Sequence, residues 1–156
     1  MGMVLGWEMV TPAELERAFA DPEWAWEFVD EVCDRPGQPD GFIEKAWGGI
    51  QFLLDAEGLG LDLLTDGTPI DEENLLTGWS AETVKQVAEE LRKVPFAMLA
   101  RHYDPAKMMS EGVYPRMWDH DSDGELEYVK SNYETLVNFF VRTAAADCAA
   151  IMEFNI

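Results

Sequence analysis

The sequence predicts an α/β domain bordering on α+β: a small mixed β-sheet that takes in both chain termini, covered by several helices in a three-layer-like arrangement. Two observations carry this. Apolar segments too short for capped helices stand at the two ends, Met3–Val10 and Cys148–Ile156. Between them run helical apolar stripes separated by turn signals. The length agrees, since 156 residues is about one domain's worth of chain. Residues 1–156 are therefore expected to form a single domain, without repeat, low-complexity stretch or linker.

Met3–Val10 is apolar apart from Gly6 and Glu8 and reads as a buried strand. Thr11-Pro12-Ala13-Glu14 ends it with a capping box, in which the Thr11 hydroxyl and the Glu14 carboxylate each serve a free backbone N–H of the first turn. Asp21-Pro22 repeats the device ahead of a helix over Glu23–Val32, and Asp104-Pro105 does so again. Arg35–Gly41, with two prolines and two glycines, is a loop. The spacing of Ile43, Ala46, Trp47, Ile50, Leu53 and Leu54 predicts a helix over Ile43–Leu54. Short extended pieces are expected at Thr68–Ile70 and Asn74–Leu76. Ser80 caps a helix faced by Val84, Val87, Ala88 and Leu91, Val94-Pro95 breaks it, and Phe96–Tyr103 forms another. The longest stripe, from Leu126 to Ala144, predicts a helix over Glu125–Ala146. In the last segment Cys148, Ala150, Met152, Phe154 and Ile156 alternate onto one side, as in a strand.

Composition narrows the function. With 47% hydrophobic and 27% charged residues the chain is of globular type. Two cysteines, Cys33 and Cys148, exclude a disulfide scaffold and fit a reducing compartment. The absence of a long apolar run or a leader-like start points to a cytoplasmic protein with no membrane attachment. The net charge of −20 is uneven: residues 1–78 hold 18 acids and 3 bases, residues 79–156 hold 13 and 8. Such a field repels phosphate backbones, so no nucleic-acid partner is expected, whereas a basic protein would be attracted. The same charge also serves plain solubility.

Few motifs carry chemistry. Asp119, Asp121 and Asp123, followed by Gly124, match the first half of a calcium loop, but Lys130 stands where the closing bidentate acid belongs. The better reading makes Asp123 the cap of the long helix, with Glu125 and Glu127 complementing its dipole. His102 and His120 lack partners at zinc-ligand spacing, and Gly58-Leu59-Gly60 is too little for a phosphate loop. Acids around Cys33 would raise its thiol pKa, making it a poor nucleophile, and Cys148 reads as core. No cofactor is expected. The aromatic content is higher than this small core requires. In particular Val113-Tyr114-Pro115-Arg116-Met117-Trp118 is of the kind that lines pockets or lids a core.

Several segments together resemble the YfbM-like family, small bacterial proteins of unknown function. They are Met1-Gly2-Met3, Lys45-Ala46-Trp47 with Ile50-Gln51-Phe52-Leu53-Leu54, Tyr103-Asp104-Pro105, and Tyr114-Pro115 with Trp118. The resemblance implies one α/β domain, a small sheet covered by helices, and no established activity or cofactor. Against the family's K-x-W-D-x-L-H-F-x-L-T-G helix, this chain carries Gly48 for the Asp, Gln51 for the His, and Asp55-Ala56 for Thr-Gly. If relatives use that Asp and His as an acid–base pair, this chain has neither.

Lys45, Trp47, Gln51, Tyr114 and Trp118 remain as candidates for a shared cleft. Their plain alternative roles are core packing for Trp47, a surface ion pair for Lys45 and a satisfied amide for Gln51. Trp47 and Phe140 are expected to be fully buried. Gln51, one turn beyond Trp47, is expected to hydrogen-bond the Val113–Trp118 loop, while Lys45 lies about 200° around the helix from Trp47. The favoured function is a non-catalytic binding or interaction protein, such as an inhibitor or immunity-type protein neutralising a basic partner. The alternatives are an enzyme or binder acting on a small polar metabolite in the Trp/Tyr cleft, and a structural subunit that dimerises through exposed aromatics.

Overall fold

The computed structural model describes residues 2–156; Met1 of the opening Met1-Gly2-Met3 lies outside them. The chain forms β1 (Val4–Val10), α1 (Pro12–Ala20), α2 (Pro22–Val32), β2 (Phe42–Glu44), α3 (Trp47–Glu57), β3 (Thr68–Pro69), β4 (Leu76–Trp79), α4 (Ala81–Arg92), α5 (Phe96–Ala100), α6 (Pro105–Ser110), α7 (Ser122–Ala145) and β5 (Ala149–Asn155). The strands lie in the order β2-β1-β5-β4-β3. The two terminal strands pair along their whole lengths, from Val4 opposite Asn155 to Val10 opposite Ala149.

Both faces of the sheet are covered. Leu5, Trp7, Trp79, Ala150 and Met152 pack against α3, α4 and α7. Val10, Leu76, Ala149 and Ile151 pack against α1 and α2. That is the alternation of a strand buried on two sides. On the first face Trp7, Trp79 and Phe140 meet edge to face, with centroids 5.6–5.9 Å apart, the geometry aromatic quadrupoles prefer.

The caps form as the sequence requires. Glu14 N–H donates to the Thr11 hydroxyl and Thr11 N–H to the Glu14 carboxylate. Asp21, Ser80 and Asp104 each accept from the N–H three residues on.

Several expectations need correction. The sheet is not mixed, because each strand pairing is antiparallel. A connection with one helix would return the strand parallel. Here two helices separate β1 from β2 and four, α4 to α7, separate β4 from β5, an even number each time. The helix expected over Ile43–Leu54 begins only at Trp47 and runs to Glu57. Ile43 sits in β2, paired with β1, and Glu44 takes a left-handed φ of 53° that no helix continues through. Ile43 is buried either way, so its spacing imitated a helix.

β4 starts at Leu76 and extends through Trp79, because Asn74 is a turn residue with φ of 60°. α5 stops at Ala100, short of Tyr103. α7 begins at Ser122, and Asp121 rather than Asp123 caps it, accepting from Gly124 N–H at 3.2 Å. Cys148 precedes β5 instead of facing the core within it, and Ile156 is exposed. Phe140 is fully buried as expected, but Trp47 is partly exposed. Among the described residues no helix is long and apolar enough to cross a membrane.

Candidate functional site

The start of α3 sets the site. It reads Trp47-Gly48-Gly49, and two glycines in a helix cost about 1 kcal/mol each relative to alanine, so close packing must require them. A Cβ on Gly48 would lie 2.5 Å from the Tyr114 carbonyl oxygen, and one on Gly49 2.5 Å from the Trp118 ring. The glycine pair is thus the footprint of the Val113–Trp118 loop on α3. Within that loop the Tyr114–Pro115 peptide bond is cis and Arg116 has φ of 67°.

Trp47 and Tyr114 stack with centroids 5.3 Å apart and planes 15° from parallel. The edge of Phe154 meets the Trp47 ring at 5.3 Å. Both polar ends of the stacked pair reach the backbone of Met3. Trp47 Nε1–H donates to its carbonyl at 2.9 Å, and its N–H donates to the Tyr114 hydroxyl at 2.8 Å. The lead-in to β1 is held from two sides.

Beside this clamp lies a cleft of about 620 Å³. α3 supplies Trp47, Gly48, Gln51, Phe52 and Asp55. The segment after α6 supplies Glu111 through Tyr114 and Arg116, and Met3 completes the lining. Its charged groups are two carboxylates, Asp55 and Glu111, and the Arg116 guanidinium. The Lys107 ammonium stands 5.9 Å from the Phe52 ring. Asp55 accepts one bond from Gln51 at 2.8 Å through Oδ1, leaving carboxylate lone pairs free. Arg116 Nε donates to the Gly112 carbonyl at 3.3 Å.

Of the five residues singled out by sequence, three line this cleft: Trp47, Gln51 and Tyr114. The expected bond from Gln51 to the Val113–Trp118 loop is overturned. Its amide donates to Leu61 carbonyl and accepts from Leu63 N–H, both at 2.8 Å, so it ties α3 to the segment that follows. Trp118 is fully buried and donates Nε1–H to Val113 carbonyl at 3.0 Å, so it anchors the loop from beneath. Lys45 precedes α3; its side chain lies beside Gly2 and the Tyr114 hydroxyl, outside the lining.

Asp55, Glu111 and Arg116 were missed. The signal that could have found them was the glycine pair, which betrays the close approach, and the departure at Asp55 one turn beyond Gln51. Of the calcium half-loop, Asp121 is committed to the helix cap. Among the described residues no three His, Cys, Asp or Glu side chains gather to hold a metal ion. His102 pairs instead with Glu57, which also receives Arg101.

The fold defines a class: an antiparallel five-stranded sheet covered on both faces by helices. Residues 1–153 match the model of the family described as a domain of unknown function (DUF1877), and the chain belongs to that family. The solved structure of YfbM from Escherichia coli, described as a protein of unknown function, is similar, with a TM-score of 0.75 at 10% identity. The match covers 97% of this chain and 99% of that one, so the likeness shows the fold. No curated protein matches the chain.

Proposed function

We propose that this protein is a non-catalytic binding protein, and that its cleft takes a small polar molecule carrying both an amine and a carboxylate. One observation carries the reading. A single hollow of about 620 Å³ brings Asp55 and Glu111 together with Arg116 against an aromatic wall. That volume lies within the roughly 300–1,000 Å³ of ordinary small-ligand sites. Carboxylates recognise an ammonium group, and the guanidinium fork recognises a carboxylate.

Calorimetric titration with free amino acids and dipeptides tests it, with butylamine and butyrate as single-charge controls. At least one zwitterion is expected to bind saturably and both controls to fail. Asp55→Asn and Arg116→Gln should each weaken binding about tenfold or more, the worth of a charge-assisted hydrogen bond. Equal binding of the single-charge controls, or indifference to both substitutions, would overturn the reading.

A second reading rests on the net charge of −20: the acidic surface meets a basic protein, in a cytoplasmic setting and without nucleic acid. Binding of a hexa-arginine peptide that collapses at high salt yet ignores Asp55→Asn would favour it over the cleft.

A further inference from the structure

A second hollow lies on the far side of the helical layer. α4 and α7 run antiparallel there. Lys85 near the start of α4 pairs with Asp147 beyond the end of α7, while the Val94 carbonyl beyond α4 accepts from Tyr133 in α7 at 2.7 Å. Val94-Pro95 ends α4, and α5 follows with the Phe96 ring 5.8 Å from the Tyr133 ring of α7, leaving a hollow between the α4–α5 junction and α7. The result is an open groove of about 710 Å³ whose apolar surface comes from Pro95, Phe96, Val137 and Val141. It follows α7 from Lys130 to Val141, roughly 16 Å at 1.5 Å per residue.

The rim of this groove runs against the character of the chain. In a protein with 31 acids and only 11 bases, two bases, Arg92 and Lys130, border it. Among the described residues neither is in an ion pair, as is true of most bases in the chain. The two cations stand at opposite ends: Arg92 shares a neighbouring hollow with Val141 and Ala144, three turns from Lys130. Glu134 also borders the groove, one turn from Lys130, where an i,i+4 neighbour offsets that charge. Glu89 likewise stands one turn from Arg92, beside the neighbouring hollow, so the choice between the two cations rests on the head group of Arg92. Its planar fork matches a carboxylate bidentately and is more weakly hydrated than an ammonium.

We propose that this groove binds a free single-chain carboxylate, its apolar tail along Phe96, Val137 and Val141 and its head on Arg92. The length of the groove is close to the reach of a dodecyl chain, and its volume is that of a small-ligand site.

The test uses sodium dodecanoate below its micelle concentration, followed by calorimetry and by amide shifts of labelled protein. Dodecan-1-ol and dodecyltrimethylammonium serve as neutral and cationic controls, and anionic phospholipid vesicles as a membrane control. Saturable 1:1 binding of dodecanoate is expected, at least tenfold tighter than the alcohol. Arg92→Gln should erase that tenfold preference while leaving alcohol binding unchanged, and Arg92→Lys should keep part of it. Ala97→Asp, at an exposed groove position in the first turn of α5, should weaken both ligands.

No saturable dodecanoate binding up to roughly 1 mM, a dissociation constant worth only about 4 kcal/mol, would overturn the proposal. So would cationic and anionic amphiphiles binding alike, or binding to vesicles alone. An unchanged dodecanoate preference in Arg92→Gln would show that the Arg92 stem merely covers apolar surface.

Discussion

The Tyr114 carbonyl oxygen rests on the bare backbone of Gly48, so close that a methyl group there would stand 2.5 Å from it. This contact joins the loop after α6 to the first turn of α3. It also holds the Tyr114 ring against Trp47.

Gly48→Ala therefore sets two effects against each other. Helix propensity favours alanine by about 1 kcal/mol, while overpacking against a backbone carbonyl costs about 1–3 kcal/mol. The carbonyl cannot swing aside as a side-chain end can, so a net loss of stability is expected. Thermal denaturation measures it, and Gly49→Ala, which meets the Trp118 ring, should behave alike. A raised melting temperature in both variants would show that the loop yields freely.

The two tryptophans of the site should separate by burial. Trp118 is fully buried with its N–H satisfied, so Trp118→Ala is expected to cost about 3–5 kcal/mol. Trp47 is partly exposed, and Trp47→Ala should cost less, though it also frees the Met3 carbonyl. Chemical denaturation of both variants decides the order.

Tyr133 donates its hydroxyl to the Val94 carbonyl at 2.7 Å, and burial pushes its pKa up to about 12. Tyr133→Phe leaves that carbonyl unpaired and is expected to cost about 1–3 kcal/mol. The native residue also sets an alkaline limit. Its folded pKa lies above the ordinary value of about 10, so its contribution is complete below that value. It is lost as pH rises from there through about 12, a loss the Phe variant should lack.

On the acid side two trends oppose each other. Burial raises Glu8 and Glu153, with Asp30, Asp34 and Asp40 adding repulsion around them. Groups raised in the fold stabilise it once protonated, so stability should increase as pH falls from neutrality through their folded values. Relief of self-repulsion at a net charge of −20 acts in the same direction. Glu57 is lowered, by His102 and then Arg101. Its contribution is complete above the ordinary glutamate value of about 4.3 and is lost as pH falls through the folded one. A melting temperature that rises on mild acidification and falls at lower pH is expected. Glu153→Gln should weaken the rise, and a monotonic fall from neutrality would contradict the assignment.

Much of the fold was legible because its signals are local. Thr11, Asp21, Ser80 and Asp104 announced their helices by side-chain oxygens placed for particular N–H groups. The α7 stripe was legible because one face packs over many turns. Ile43 misled because burial has the same spacing whether the residue reaches the core from a strand or a helix. The antiparallel sheet was hidden because strand direction depends on how α4 and α7 pack, which no local pattern encodes.

The candidate site was legible only in its large aromatics. Trp47 and Tyr114 stood out by size, but which loop Gln51 would bind depended on where residues 61–63 fold back. The charged lining of Asp55, Glu111 and Arg116 comes from two distant segments and looks like ordinary surface until they meet.

The most direct measurement is an amide and indole shift titration of labelled protein with a dipeptide that calorimetry shows to bind. Shifts are expected to cluster at the Trp47 indole, Gly48, Asp55, Gly112 and Arg116, and to vanish in the Asp55→Asn, Arg116→Gln double variant. Shifts scattered over the acidic surface, or persisting unchanged in that variant, would contradict the cleft as the binding site.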